Sequence, residues 1–162
     1  MGPSGALVVF VVCAICGGAS AVDMSKVQPY NLTAAIMFVQ EDTNQDGIMT
    51  VAEIDAVFDK YDTNKDGRES RQEYTTMLCE SDPDLFQLSH YLFDDYDVDH
   101  DHHLEQHDFE AWHAKIDGGG DGDGVVTQDE FVNYWVKLFT YIEGQVPVHG
   151  HSHEHGHCPG HQ

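Results

Sequence analysis

Residues 42–67 read DTNQDGIMTVAEIDAVFDKYDTNKDG. This stretch opens with DTNQDG and closes with DTNKDG, so nearly the same hexapeptide starts at residue 42 and again at residue 62. In each copy, oxygen-bearing side chains alternate along the chain, and a glycine follows where the backbone must turn sharply. Alternate side chains of such a tight loop converge on one point, so each copy predicts the beginning of a cation-binding loop.

The two loops, 42–53 and 62–73, each carry a complete set of candidate oxygen ligands for Ca²⁺. This hard cation takes about six to eight oxygens, supplied in a twelve-residue loop by positions 1, 3, 5, 7, 9 and 12. Position 7 contributes its main-chain carbonyl, and a glutamate at position 12 contributes two oxygens. The candidate ligands are Asp42, Asn44, Asp46, Ile48, Thr50 and Glu53 in loop 1, and Asp62, Asn64, Asp66, Arg68, Ser70 and Glu73 in loop 2.

Residues 97–108, DVDHDHHLEQHD, form a third and altered copy. His102 replaces the glycine at position 6, which strains the turn. The aspartate at position 12 is shorter than glutamate, so we expect weaker calcium binding or a shift towards magnesium. The candidate ligands of loop 3 are Asp97, Asp99, Asp101, His103 through its carbonyl, and Asp108.

The fourth copy allows two registers within DGGGDGDGVVTQDE. A loop starting at Asp117 would have glycine at position 3 and glutamine at position 12, so the register 119–130 is favoured. That register has no side-chain ligand at position 1, and Asp117, a carbonyl or a water remains open as the substitute. The candidate ligands of loop 4 are Asp121, Asp123, Val125 and Glu130.

The region from about residue 30 to residue 142 resembles the EF-hand superfamily. The likeness lies in DTNQDGIMTVAE and DTNKDGRESRQE, and in the apolar residue that follows each loop: Ile54, Tyr74, Phe109 and Phe131. The resemblance implies an all-α fold of helix-loop-helix repeats, Ca²⁺ as the ligand, and no catalysis. We expect two calcium sites, in loops 1 and 2, and up to four in all. No nucleophile–base pattern suggests an enzyme.

The spacing of the loops predicts which of them pair. Loops 1 and 2 start 20 residues apart, which leaves room for a single helix of about 16 Å over residues 51–61, so they lie at its opposite ends. We therefore predict about six helices, with short β-bridges pairing loop 2 with loop 3 and loop 1 with loop 4. The residues at position 8 would form the bridges, Glu69 with Leu104 and Met49 with Val126. The acidic Glu69 is expected to weaken its bridge, and two independent lobes are the alternative.

Residues 1–21 have the features of a signal peptide. They carry no charged side chain, contain an apolar run at 6–16, and end in Ala19-Ser20-Ala21, a small-x-small cleavage pattern. We predict a secreted, extracellular protein with an EF-hand domain at 22–144; an uncleaved anchor is the alternative. Cleavage would leave Cys79 and Cys158, either bridged or as one buried and one exposed thiol.

Residues 145–162 form a glycine- and histidine-rich tail that we expect to be disordered. Six of the 12 histidines of the chain lie between residues 149 and 161. Imidazole suits Zn²⁺ or Cu²⁺ better than Ca²⁺, so the tail is a candidate transition-metal site, or else a soluble segment that gains charge at low pH. The histidines at 100, 102, 103 and 107 are expected to modulate loop 3 rather than form a zinc site.

The chain has 29 acidic and 7 basic residues, a net charge of -22. Such a charge repels nucleic acid and anionic membranes. We predict a non-catalytic calcium binder that acts as an extracellular buffer or associates with calcium mineral or matrix. The combination of acidic composition, secretion and EF-hand loops is similar to that of calcium-binding proteins from invertebrate shells. The alternative is a regulatory module that exposes an apolar groove, to which Met37, Met49 and Met77 would contribute.

Overall fold

The structure is a computed structural model that describes residues 22–145. The predicted signal peptide, 1–21, and the predicted metal-binding histidines of the tail lie outside the described residues. The described part forms six α-helices: α1 (Tyr30–Glu41), α2 (Val51–Phe58), α3 (Arg71–Ser81), α4 (Phe86–Tyr96), α5 (Gln106–Gly118) and α6 (Gln128–Glu143). Four two-residue strands lie between them: β1 (Ile48–Met49), β2 (Glu69–Ser70), β3 (His103–Leu104) and β4 (Val126–Thr127). Within residues 22–145, no helix combines the length and the apolar character needed to cross a membrane.

The helix that leaves each loop begins where the loop sequence supplies a cap. Thr50 accepts a hydrogen bond from the backbone N–H of Glu53, and the Glu53 side chain accepts one from the backbone N–H of Thr50. Ser70 with Glu73 and Thr127 with Glu130 repeat this reciprocal arrangement. Such a capping box satisfies two helix N–H groups that would otherwise lack partners. Residues at loop positions 9 and 12 therefore start the helix as well as facing the loop.

The loops pair across the two halves of the chain, as the spacing predicted. Strand β1 runs antiparallel to β4, with Met49 opposite Val126, and β2 runs antiparallel to β3, with Glu69 opposite Leu104. All four of these side chains at position 8 are buried. The second bridge therefore forms although one of its residues is acidic. The pairing of Val126 also places the fourth loop in the register 119–130.

A single core joins the halves, so the two are not independent lobes. Helix α1 packs on α6, α3 on α4, and α2 on α5. Phe58 of α2 stacks on Phe109 of α5 with ring centroids 4.5 Å apart. Trp112 donates a hydrogen bond of 3.1 Å to Asp95, which also accepts one from the hydroxyl of Tyr134, and this links α4, α5 and α6.

Cys79 lies in α3 and is buried. It is disulfide-bonded, whereas Cys13, Cys16 and Cys158 lie outside the described residues. The bond excludes the expectation of a free thiol at this position. The pairing of Cys79 with Cys158 stays a prediction.

We predict that Phe109→Ala destabilises the whole domain in one step. Removing this ring leaves a cavity against Phe58, at an expected cost of about 3–5 kcal/mol in the free energy of unfolding. The control Tyr141→Ala, at a side chain that is 62% exposed, should change it by less than about 0.5 kcal/mol. Urea unfolding in calcium, followed by circular dichroism, measures both. Two transitions, only one of them shifted by Phe109→Ala, would instead indicate independent lobes.

Candidate metal centre

All four loops share one backbone conformation. At loop positions 4 and 6 the φ angle is positive, between 58° and 89°, in the pairs Gln45 and Gly47, Lys65 and Gly67, His100 and His102, and Gly122 and Gly124. His102 adopts a φ of 71° where the other loops have glycine, so the altered third copy keeps the turn at a steric cost. The equivalence of Gly124 to Gly47 and Gly67 supports the register chosen for loop 4.

The first carboxylate of each loop accepts a hydrogen bond from the N–H at position 6. These bonds measure 3.0 Å from Gly47 to Asp42, 2.9 Å from Gly67 to Asp62 and 3.1 Å from His102 to Asp97. In loop 4 the N–H of Gly124 donates to Oδ1 of Asp117, at 3.1 Å. Asp117 therefore takes the place of the missing ligand at position 1, although it lies two residues upstream, in the last turn of α5.

The glycines after Asp117 allow this rearrangement. The carboxylate oxygens of Asp117, Asp121 and Glu130 lie within 4.8 Å of one another. A Cβ atom at Gly120 would stand 2.0 Å from Oε1 of Glu130, so any larger residue there would displace the glutamate. Asp117 was one of three open choices in the sequence. The glycine run indicated a backbone that can adopt several conformations. Only the folded loop shows that the oxygen at position 1 comes from Asp117.

The carboxylates at position 5 tighten each loop. Their Oδ1 atoms accept hydrogen bonds of 2.8–3.1 Å from the N–H at position 7. This arrangement holds the main chain at the residues whose carbonyls are the predicted position-7 ligands. The donor–acceptor pairs are Ile48 with Asp46, Arg68 with Asp66, His103 with Asp101, and Val125 with Asp123.

The position-12 glutamates of loops 1 and 2 close the loops from the opposite side. Oε1 of Glu53 accepts from the N–H of Thr43 at 2.9 Å, and Glu73 is held in the same way by Thr63 at 3.1 Å. Burial tends to raise the pKa of Glu73, but hydrogen bonds from Ser70, Thr63 and Asn64 outweigh it and hold the pKa at about 2. The carboxylate is therefore ionised at neutral pH, the state that binds cations.

Loop 3 is closed by a shorter side chain. Asp108 is fully buried; its Oδ1 accepts from the N–H of Val98 at 2.9 Å and its Oδ2 from the N–H of Glu105 at 3.1 Å. The oxygens of Asp97, Asp99 and Asp101 lie within 4.8 Å of one another. The structure thus collects the predicted side chains of loop 3, and it adds an imidazole, that of His107, beside Asp99.

The donor chemistry of loops 1, 2 and 4 fits Ca²⁺. Every predicted ligand in these loops is an oxygen, and carboxylates supply most of the side-chain donors. Asn44, which precedes Asp46 in loop 1, also accepts the N–H of Asp46 at 2.8 Å, so its amide oxygen faces into the loop. Asp42, Asn44 and Asp46 with Glu53 would hold the ion in loop 1, and Asp62, Asn64, Asp66 and Glu73 would do so in loop 2.

Fold and loops together define a helix-loop-helix protein with four candidate cation sites. The family model described as EF hand matches residues 54–78, which run from α2 through loop 2 into α3. This match supports membership of the EF-hand superfamily and, with it, calcium binding. No curated protein and no solved structure matches the chain significantly.

Glu69 of loop 2 is an acidic residue whose side chain is buried without a hydrogen-bond partner. It is 2% exposed, lies opposite Leu104, and neither of its carboxylate oxygens has a hydrogen-bond partner. Burial, reinforced by the charges of Glu73 and Asp62, raises the pKa of Glu69 to about 9. The side chain is therefore protonated at neutral pH, and a neutral carboxylic acid occupies a position suited to an apolar residue.

We predict that Glu69→Leu stabilises the calcium-free protein increasingly as pH rises. The folded-state pKa of Glu69 is raised, so its burial is least costly below pH 4.5 and destabilises progressively up to about pH 9. At pH 7 the gain should reach up to about 3 kcal/mol. Glu80→Leu, at an exposed position of α3, is the control. Urea unfolding at pH 5 and pH 8 measures the difference; an equal effect of Glu69→Leu at both pH values would contradict the prediction.

We predict that Asp117→Asn weakens calcium binding at loop 4. The substitution keeps the size of the side chain but replaces the carboxylate that stands at position 1 by a neutral amide. Affinity at this loop should fall by more than about tenfold, because even changes outside the ligand shell can cost that much. Asp129→Asn, an exposed change in the first turn of α6, is the matched control. Calorimetric calcium titration that finds both variants equal would show that Asp117 is not a ligand.

Proposed function

We propose that this is a secreted, non-catalytic calcium-binding protein that buffers calcium outside the cell or associates with calcium mineral or matrix. The observation that carries the proposal is the match of residues 54–78, which contain loop 2, to the EF-hand family. Loop 1 repeats the pattern of oxygen-bearing residues of loop 2. Asp117, Asp121 and Glu130 offer a further site of the same chemistry.

The extracellular part of the proposal rests on the sequence. The uncharged residues 1–21 have the pattern of a cleaved secretion signal. Calcium is plentiful outside cells, so a sensor of small cytosolic pulses would stay saturated there. The net charge of -22 gives the surface a strong affinity for cations in general, which suits buffering or contact with mineral.

Calorimetric titration with calcium tests the binding. We expect at least two sites in the wild-type chain. Glu53→Gln and Glu73→Gln should each weaken one of them by more than about tenfold, because the two-oxygen ligand at position 12 is lost. Glu80→Gln, which lies outside the loops, should match the wild type. Calcium binding unaffected by the two loop variants would refute the proposal.

Expression of the full chain in a secreting cell line tests the destination. The proposal expects the protein in the medium with Val22 as its N-terminus, and adsorption of that protein to calcium carbonate for the mineral form of the role. Retention of the uncleaved chain in the cell membrane would refute secretion.

One observation favours a second candidate, a regulatory module that binds a protein through an apolar surface. A cavity of about 280 Å³, to which all six α-helices contribute, is lined mainly by apolar side chains, among them Met37 and Met77. Met49, which was also expected to contribute, is instead buried in the β1–β4 bridge and does not line this cavity. Methionine adapts readily to different partners. Retention on a hydrophobic resin in calcium, with release by a chelator, would favour this function; equal retention in both conditions would count against it.

A further inference from the structure

Loop 3 differs from the other loops in bringing an imidazole among its carboxylates. Nε2 of His107 lies 2.9 Å from Oδ2 of Asp99 and 3.5 Å from Oδ2 of Asp108. One donor atom from each of the three residues lies within 4.8 Å of the others. A single ion can therefore contact all three side chains after small rotations.

Two departures from the other loops produce this cluster. Position 11 is His107 in loop 3 but alanine, glutamine or aspartate in loops 1, 2 and 4, and position 12 is aspartate only in loop 3. The shorter Asp108 keeps its carboxylate beside the first turn of α5, where His107 also lies. The two substitutions together replace a two-oxygen glutamate by one carboxylate and one nitrogen donor.

Neighbouring groups hold these side chains in place. The N–H groups of Val98 and Glu105 fix the buried carboxylate of Asp108. Nδ1 of His107, the nitrogen facing away from Asp99, lies 3.7 Å from a Glu105 carboxylate oxygen, and the other oxygen of Glu105 is 3.2 Å from Nε of Arg68. A carboxylate behind the imidazole is the usual outer-shell partner of a metal-binding histidine, since it orients the ring and raises its basicity.

We propose that Asp99, His107 and Asp108 form a zinc site, so that loop 3 binds Zn²⁺ in preference to Ca²⁺. Calcium is a hard cation that takes oxygen ligands, whereas zinc combines imidazole nitrogen with carboxylate oxygen. Two carboxylates and a neutral imidazole balance the charge of the ion and leave a fourth coordination position open. Because Asp99 is also a predicted calcium ligand, zinc at this site excludes calcium from loop 3. This assignment replaces the expectation that His107 only modulates the loop.

The tail histidines would obscure the measurement, so the parent protein for the test is the full chain with the six histidines of residues 149–161 replaced by glutamine. His107→Gln removes the nitrogen donor from an exposed side chain. His100→Gln is the matched control: it makes the same substitution in the same loop, and Gln45 already occupies this position in loop 1 with nearly the same φ. Each protein is titrated with zinc in saturating calcium, with a chelator as competitor.

The proposal expects the parent and His100→Gln to bind one zinc ion per chain, and His107→Gln to bind it more than about tenfold more weakly. X-ray absorption of the zinc-loaded parent should show imidazole scattering at a zinc–nitrogen distance of about 2.0–2.1 Å, lost in His107→Gln. Equal zinc affinity of His107→Gln and His100→Gln, or a parent zinc spectrum without imidazole, would overturn the proposal.

Discussion

Two antiparallel bridges, β1 with β4 and β2 with β3, determine how the six helices are arranged. Each bridge joins a loop from the first half of the chain to a loop from the second half. Helices α2 and α5 are each shared by two successive loops, so the loops at the ends of one helix are unable to pair with each other. The halves must interlock, and the hydrophobic core of the described residues, to which all six α-helices contribute, follows from that requirement.

The residues that start α2 and α3 are also predicted calcium ligands, so calcium binding would be coupled to folding. Glu53 and Glu73 cap α2 and α3 while standing at position 12 of their loops. The mutual repulsion of 29 acidic side chains opposes a compact state unless cations neutralise part of it. Calcium bound at the loops would therefore stabilise the folded chain, because the unfolded chain offers no equivalent arrangement of oxygens.

The sequence predicted the fold because the loop signature and its spacing are local, geometric quantities. A gap of 20 residues fits only one helix, and this determined both the six helices and the partners of every loop. The sequence left the ligand at position 1 of loop 4 open, because the position of Asp117 relative to the loop depends on the conformation of the three glycines that follow it. The contact of His107 with Asp99 could not be read from the sequence either, because it depends on how the side chain at position 11 is placed in the folded loop. The burial of an unpaired Glu69 depends on Leu104 across the bridge, which no local pattern contains.

If the bridges pair the loops across the two halves, calcium binding at loop 1 should be coupled to loop 4 and not to loop 2. A calcium titration followed by nuclear magnetic resonance can monitor the backbone N–H of Gly124 in loop 4, which donates to Asp117, and that of Gly67 in loop 2, which donates to Asp62. In Glu53→Gln, which impairs loop 1, the pairing predicts that the midpoint for Gly124 moves to higher calcium while that for Gly67 stays unchanged. A shift of the midpoint at Gly67 without one at Gly124 would contradict the pairing of loop 1 with loop 4.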